Sequence, residues 1–105
     1  GFMEHKIVNK GDQLELNIKG KFTFADNKAF SEILDEVANN SYKAFTIDLD
    51  GVEFIDSAAL GILLLARDKC VKSATNLLLR NPKGQVKQMF DISRFSDLFQ
   101  IEHAQ

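Results

Sequence analysis

A strand gives way to a helix within a few residues in the segment Ile47-Asp48-Leu49-Asp50-Gly51-Val52-Glu53-Phe54-Ile55-Asp56-Ser57-Ala58-Ala59-Leu60-Gly61-Ile62-Leu63-Leu64, and this succession constrains the fold more than any other feature of the chain. Across residues 44–49, Phe45, Ile47 and Leu49 alternate with Thr46 and Asp48, the period-2 pattern of a strand. From Ser57 the apolar residues recur at helical spacing, and the helix is predicted over residues 57–72. A strand that feeds straight into a helix has to fold that helix back over its own sheet, as the first half of a crossover connection does.

The flanking segments repeat the same logic. Residues 6–9 form a short candidate strand, Gly11-Asp12 a turn, and Leu14, Leu16 and Ile18 alternate with polar residues as a half-buried strand requires. Gly11 suits a hairpin between the two. Asp26 is placed to cap a helix in which Phe30, Ile33, Leu34 and Val37 follow the i, i+3, i+4, i+7 spacing of one buried stripe. Glu32, Asp35 and Glu36 form its solvated face, and Asn39-Asn40-Ser41 ends it. Residues 76–80 read as a strand stopped by Asn81-Pro82; Val86, Met89 and Phe90 mark a third, shorter helix, and residues 99–102 a last strand. The expected class is α/β: a mixed, mostly parallel sheet of about four or five strands, opened by a hairpin and covered by helices.

With residues spaced about 100° apart around an α-helix, Ala59, Leu60, Leu63, Leu64, Ala66, Cys70 and Val71 gather on one side of the central helix, which is the side expected to pack on the sheet. Arg67 falls within that stripe and is expected to snorkel to its rim. The opposite side carries Asp68, Lys69 and Lys72 in its second half but only Ser57, Ala58, Gly61, Ile62 and Leu65 in its first. Gly61 costs a helix interior about 1 kcal/mol relative to alanine. Two readings of this uncharged face stand side by side: a loop or the third helix covers it, or it is a contact patch for a partner protein.

Ser57 has two readings as well. Serine is a good helix N-cap, although Leu60 three residues on gives it no capping box. A hydroxyl at a helix start is also well placed to carry a phosphate, which adds about −1.5 to −2 charge at pH 7 where the helix end tolerates it. Asp50, Glu53 and Asp56 would then stand near a dianion.

Composition bounds the alternatives. The 105 residues are 45% apolar, with nine phenylalanines and a formal charge of −2. That suits one folded domain over residues 3–105 and gives no electrostatic footprint for nucleic acid or an anionic membrane. Gly1 and Phe2 read as an expression remnant ahead of Met3. The longest apolar run, residues 58–66, is far short of a membrane span. Cys70 stands alone, which fits a reducing cytoplasm and a small core residue rather than a reactive thiol. His5 and His103 lie near opposite termini, unsuited to a triad or a metal site. Ser57 lacks the Gly-x-Ser-x-Gly elbow of a hydrolase nucleophile, and there is no glycine-rich phosphate loop. No enzyme, cofactor or metal site is expected.

The run from Ile47 to Gly61, with its Asp-Ser-x-x-Leu-Gly core, resembles the signature of the STAS domain, the sulfate-transporter and anti-sigma-factor-antagonist family. The resemblance extends to the leading hairpin, the helix after Asp26, the Leu77-Leu78-Leu79-Arg80-Asn81-Pro82 strand end and the closing Leu98-Phe99-Gln100-Ile101. It implies a bacterial, cytoplasmic partner-switching protein. Carried over by position, Ser57 is the phosphorylation site with Asp56 beside it. The unphosphorylated form would bind an anti-sigma factor that is itself the serine kinase, the phosphorylated form would not, and a phosphatase would reset the switch. The docking surface implied is the start of the central helix and the adjoining loops, in agreement with the uncharged outer face: Asp56, Ser57, Ala58, Gly61, Ile62 and Leu65. The loop before the first helix also follows a strand and is expected at the same sheet end, which adds Asp26 and Lys28 as candidates, beside the reading of Asp26 as a cap alone. No nucleic acid and no membrane insertion are expected, and the oligomeric state is expected to be monomer or weak dimer. The rival within the family is a non-switching structural STAS subunit of a transporter or signalling assembly.

Overall fold

The computed structural model describes residues 3–103; Gly1 and Phe2, read above as a remnant, lie outside it. Five strands form one sheet in chain order, β1 (Glu4–Asn9), β2 (Gln13–Phe22), β3 (Ala44–Ile55), β4 (Asn76–Arg80) and β5 (Gln100–Glu102). β1 and β2 are antiparallel, joined at Gly11, whose φ of 78° only glycine adopts without strain. Every later neighbour is parallel and is reached through its own helix: α1 (Asn27–Asn39), α2 (Ser57–Lys72) and α3 (Gly84–Ile92). The mixed, mostly parallel sheet with its opening hairpin agrees with the sequence.

The core lies where the alternating strand residues meet the helices. Leu14, Leu16 and Ile18 of β2 and Phe45, Ile47 and Leu49 of β3 are buried against Phe30, Ile33, Leu34 and Val37 of α1. Phe22 stacks on Phe30 with ring centroids 5.2 Å apart, fixing the end of β2 against α1. A second aromatic group, Phe90, Phe95 and Phe99, closes the carboxyl-terminal region with centroid separations of 4.9 and 4.7 Å.

Three local expectations need correction. First, β3 continues to Ile55 instead of ending at Leu49. The ten-residue β2 supplies the pairing, Lys19 to Gly51 and on to Phe22 with Ile55, and two register shifts absorb the mismatch. Gly51 permits this contact: a Cβ there would stand 2.7 Å from Lys19 Cγ. Second, the buried stripe of α2 is Ala59, Ile62, Leu63, Ala66 and Cys70, rotated from the one predicted. Leu64 and Val71 face outwards, Val71 with 69% of its surface exposed. Third, Ser57 does not cap α2. Asp56 does, in extended conformation, with Oδ1 accepting from the Ala59 N–H at 2.9 Å.

On the sheet surface away from this core, Arg80 of β4 joins three strands. Its Nη2 donates to Glu15 Oε1 of β2 at 2.6 Å and to Asp48 Oδ2 of β3 at 3.2 Å. No described helix is long and apolar enough to cross a membrane.

Candidate functional site

The parallel strands β2, β3 and β4 all deliver their following segments to one end of the sheet, and the site is assembled there. After β2 the chain enters a 3-10 turn, Phe24–Asp26. Thr23 caps this turn, its Oγ1 accepting from the Ala25 N–H at 3.3 Å. Asp26 completes the box by accepting from the Thr23 N–H at 2.9 Å through Oδ2. The other oxygen of Asp26 accepts from the Met3 N–H at 2.7 Å, and the residue is fully buried. Asp26 is therefore a fastening for the turn and the amino-terminal segment, not a surface for a partner; as the residue before α1 it makes no side-chain cap bond.

Asp56 bridges this turn to α2. While Oδ1 caps the helix, Oδ2 accepts from the Phe24 N–H at 3.1 Å. The bond ties the turn to the α2 start, and Phe24 is 68% exposed. Behind Asp56 the end of β3 is held by α3, where the Gln85 side chain meets the Ile55 backbone.

Ser57 is the first helical residue and is exposed, and no hydrogen bond among the described residues engages its hydroxyl. One turn on, a Cβ built at Gly61 would meet nothing within 4 Å, so nothing in the described chain needs a glycine there. Leu64 and Leu65, 38% and 55% exposed, continue the same face. Ala58 is half-buried. Ile62, predicted on the outer patch, is only 5% exposed and belongs to the core. It lies on the side of α2 that turns to α1, as Lys69, seven residues on, shows by its 2.7 Å ion pair with Asp35. Lys28 is exposed in the first turn of α1 and forms no ion pair among the described residues.

The family is settled by sequence: the STAS domain model matches residues 5–104. The chain belongs to the STAS domain family. This STAS domain is 33% identical over 91 residues to a STAS-domain containing protein of Pseudomonas aeruginosa (strain UCBPP-PA14), covering 87% of this chain and 89% of that one. Solved structures share its fold. A candidate anti-sigma factor antagonist from Thermotoga maritima superposes with a TM-score of 0.82 at 22% identity, over 97% of this chain and 86% of that one. The anti-sigma factor antagonist SpoIIAA in its unphosphorylated form gives 0.75 at 13% identity, over 98% and 89%. A sulfate transporter family protein from Wolinella succinogenes gives 0.78 at 21% identity, over 90% and 80%.

Within the STAS domain, sequence reasoning missed Phe24, Phe54 and Leu64 as exposed apolar residues of this region. The signal for Phe24 was present in Thr23-Phe24-Ala25-Asp26, a capping-box spacing that places the intervening residues on a tight turn. Among the described residues, no group of three or more His, Cys, Asp or Glu is arranged to hold a metal ion. Burial pushes the Cys70 thiol up to about 11, which keeps it protonated and unreactive at neutral pH.

Proposed function

We propose that this STAS domain is a phosphorylation-controlled partner-switching protein of the anti-sigma factor antagonist type. In the unphosphorylated form the α2 start and the Thr23–Asp26 turn dock a cognate anti-sigma factor that is also a serine kinase. Phosphorylation of Ser57 blocks that docking, and a serine phosphatase restores it. The domain itself acts by binding, not by catalysis, as a cytoplasmic monomer or weak dimer.

The observation that carries this reading is the surface around Ser57. An unengaged, exposed hydroxyl stands beside Gly61, whose missing side chain leaves open space. Exposed Phe24, Leu64 and Leu65 lie on the same outer face or its adjoining turn. A partner backbone can approach at Gly61 and bury these apolar groups. A phosphate on Ser57 adds bulk and about two negative charges to the same contact. Of the residues assigned to docking, Asp56, Ser57, Ala58, Gly61, Leu65 and Lys28 remain in the proposal; the buried Asp26 and Ile62 do not.

The test is incubation with candidate serine kinases, followed by intact-protein mass spectrometry and partner pull-down. Unmodified protein should bind and gain one phosphate, Ser57→Ala should bind and gain none, and Ser57→Asp should not bind. A phosphate that still appears on Ser57→Ala would overturn the assignment. A second reading, a structural subunit of a transporter, is favoured by the shared fold of the sulfate transporter family protein. It predicts that Ser57→Asp retains its partner.

A further inference from the structure

Asp56 joins two segments 32 positions apart, and it does so with one carboxylate divided between two backbone donors. Ala59 N–H takes Oδ1 at 2.9 Å and Phe24 N–H takes Oδ2 at 3.1 Å. The helix-capping bond is part-buried, whereas the bond to Phe24 is exposed. Beneath the turn, buried Asp26 fixes Thr23 and Met3 through bonds of 2.9 and 2.7 Å. The turn is thus anchored from inside by one carboxylate, while its outer edge, where the Phe24 ring stands in solvent, is fastened to α2 by another.

We propose that Asp56 is a positioning residue through which the charge state of Ser57 controls Phe24: a phosphate on Ser57 weakens the Asp56–Phe24 bond and frees the outer edge of the turn from the docking surface. The regulatory meaning rests on the reading of Ser57 as a phosphosite; the coupling itself is a property of the folded chain alone. A phosphoserine at the first helical position competes with Asp56 for the Ala59 N–H and attracts the other N–H groups that the first turn leaves without a helical partner. It also sets a dianion on the residue next to Asp56. Both effects push the Asp56 carboxylate from its shared position. The exposed bond to Phe24 gives way before the capping contact, because the helix end favours whichever anion stays. Phosphorylation then acts twice on a partner, by charge at Ser57 and by withdrawing an aromatic anchor.

The test separates cap from clamp. Asp56→Ser keeps a good N-cap but offers one short-reach oxygen that cannot serve both donors. Amide hydrogen exchange is followed by NMR, without any partner, in the unmodified protein, in protein carrying phosphoserine installed at position 57, and in Asp56→Ser. The Phe24 amide should exchange about tenfold faster in the last two, the scale of losing a charge-assisted hydrogen bond. The Ala59 amide should stay within about twofold of the unmodified protein, since a capping oxygen remains. Unchanged Phe24 protection in the phosphoprotein or in Asp56→Ser overturns the coupling. If partner binding is nevertheless lost on phosphorylation, partner switching stands and acts by direct repulsion. If Phe24 is released and binding is unaffected, the coupling stands and the docking surface is wrong.

Discussion

The Gln85 side chain pairs with the backbone of Ile55 as a neighbouring strand would: its Oε1 accepts from the Ile55 N–H and its Nε2 donates to the Ile55 carbonyl oxygen, both at 2.9 Å. β4 pairs with β3 only as far as Asp48 with Arg80, so the last residues of β3 have no strand on that side. One amide from α3 takes over the ladder at the residue before Asp56. Gln85→Glu keeps the shape but loses the donor and sets a carboxylate against the Ile55 carbonyl. It should cost about 1–3 kcal/mol, measured by urea denaturation, and weaken partner binding without touching the surface.

Gly61→Ala should move stability and binding in opposite directions. The helix gains about 1 kcal/mol, and the new methyl meets nothing in the described chain. The same methyl occupies the space proposed for a partner backbone. Denaturation midpoint and partner affinity measured on one preparation check both signs. A variant that is more stable and binds equally well would remove the docking role of this face.

Arg80 and Glu15 make acid stability a local matter. The hydrogen bond from Arg80 holds the Glu15 carboxyl below its ordinary value, against the opposing effect of burial, and the Arg80 guanidinium is correspondingly raised. A lowered folded value means the stabilisation is present above the ordinary carboxylate range and is lost as pH falls from that range through the lowered value. Glu15→Gln should therefore flatten the fall in Tm between neutral pH and about pH 3. Arg80→Ala, which leaves Glu15 and Asp48 facing each other without their shared cation, should cost about 2 kcal/mol at neutral pH.

Ala74 sits at the position after the α2 C-cap with φ of 56°, and the bonds Thr75 N–H to Cys70 O and Ala74 N–H to Val71 O complete a Schellman closure around it. This is where helices usually carry glycine, and a Cβ in the left-handed region costs about 1–2 kcal/mol. Ala74→Gly should raise stability by about 0.5–1 kcal/mol after the unfolded chain's extra freedom is subtracted. Thermal denaturation reads the change directly.

The sheet, the hairpin and the buried face of α1 were legible because each has one apolar stripe and one polar one, so a single period decides the orientation. α2 was harder. Leu60, Ile62, Leu63, Leu64 and Leu65 make its first half apolar almost all round, and a wheel without a polar side has no defined centre. Only packing against α1 and the sheet selects Ile62 inwards and Leu64 outwards. The extension of β3 through Asp50-Gly51 was hidden because those residues signal a turn locally, while the pairing that overrides them comes from β2. The capping roles were hidden for a similar reason: Asp26, expected to cap α1, is buried, and the α2 cap considered for Ser57 falls to Asp56. A carboxylate next to a helix start looks the same in sequence whether it points into the core or caps from the surface. The position of Ser57 at the head of α2 was legible from the strand-to-helix succession, whereas Phe24 was signalled only by the capping-box spacing of Thr23 and Asp26 around it.

The sheet's order has an evolutionary consequence. Strands β2, β3 and β4 point the same way and are joined in sequence by helices, so the short connections after them converge at one pole while the hydrophobic interior lies between the layers. Exposed positions of those connections, such as Phe24, Ser57 and Gly61, can then change while the residues that fasten them, Asp26, Asp56 and Gln85, stay as they are. A lineage built on this plan can vary the exposed chemistry of one pole at little risk to the scaffold.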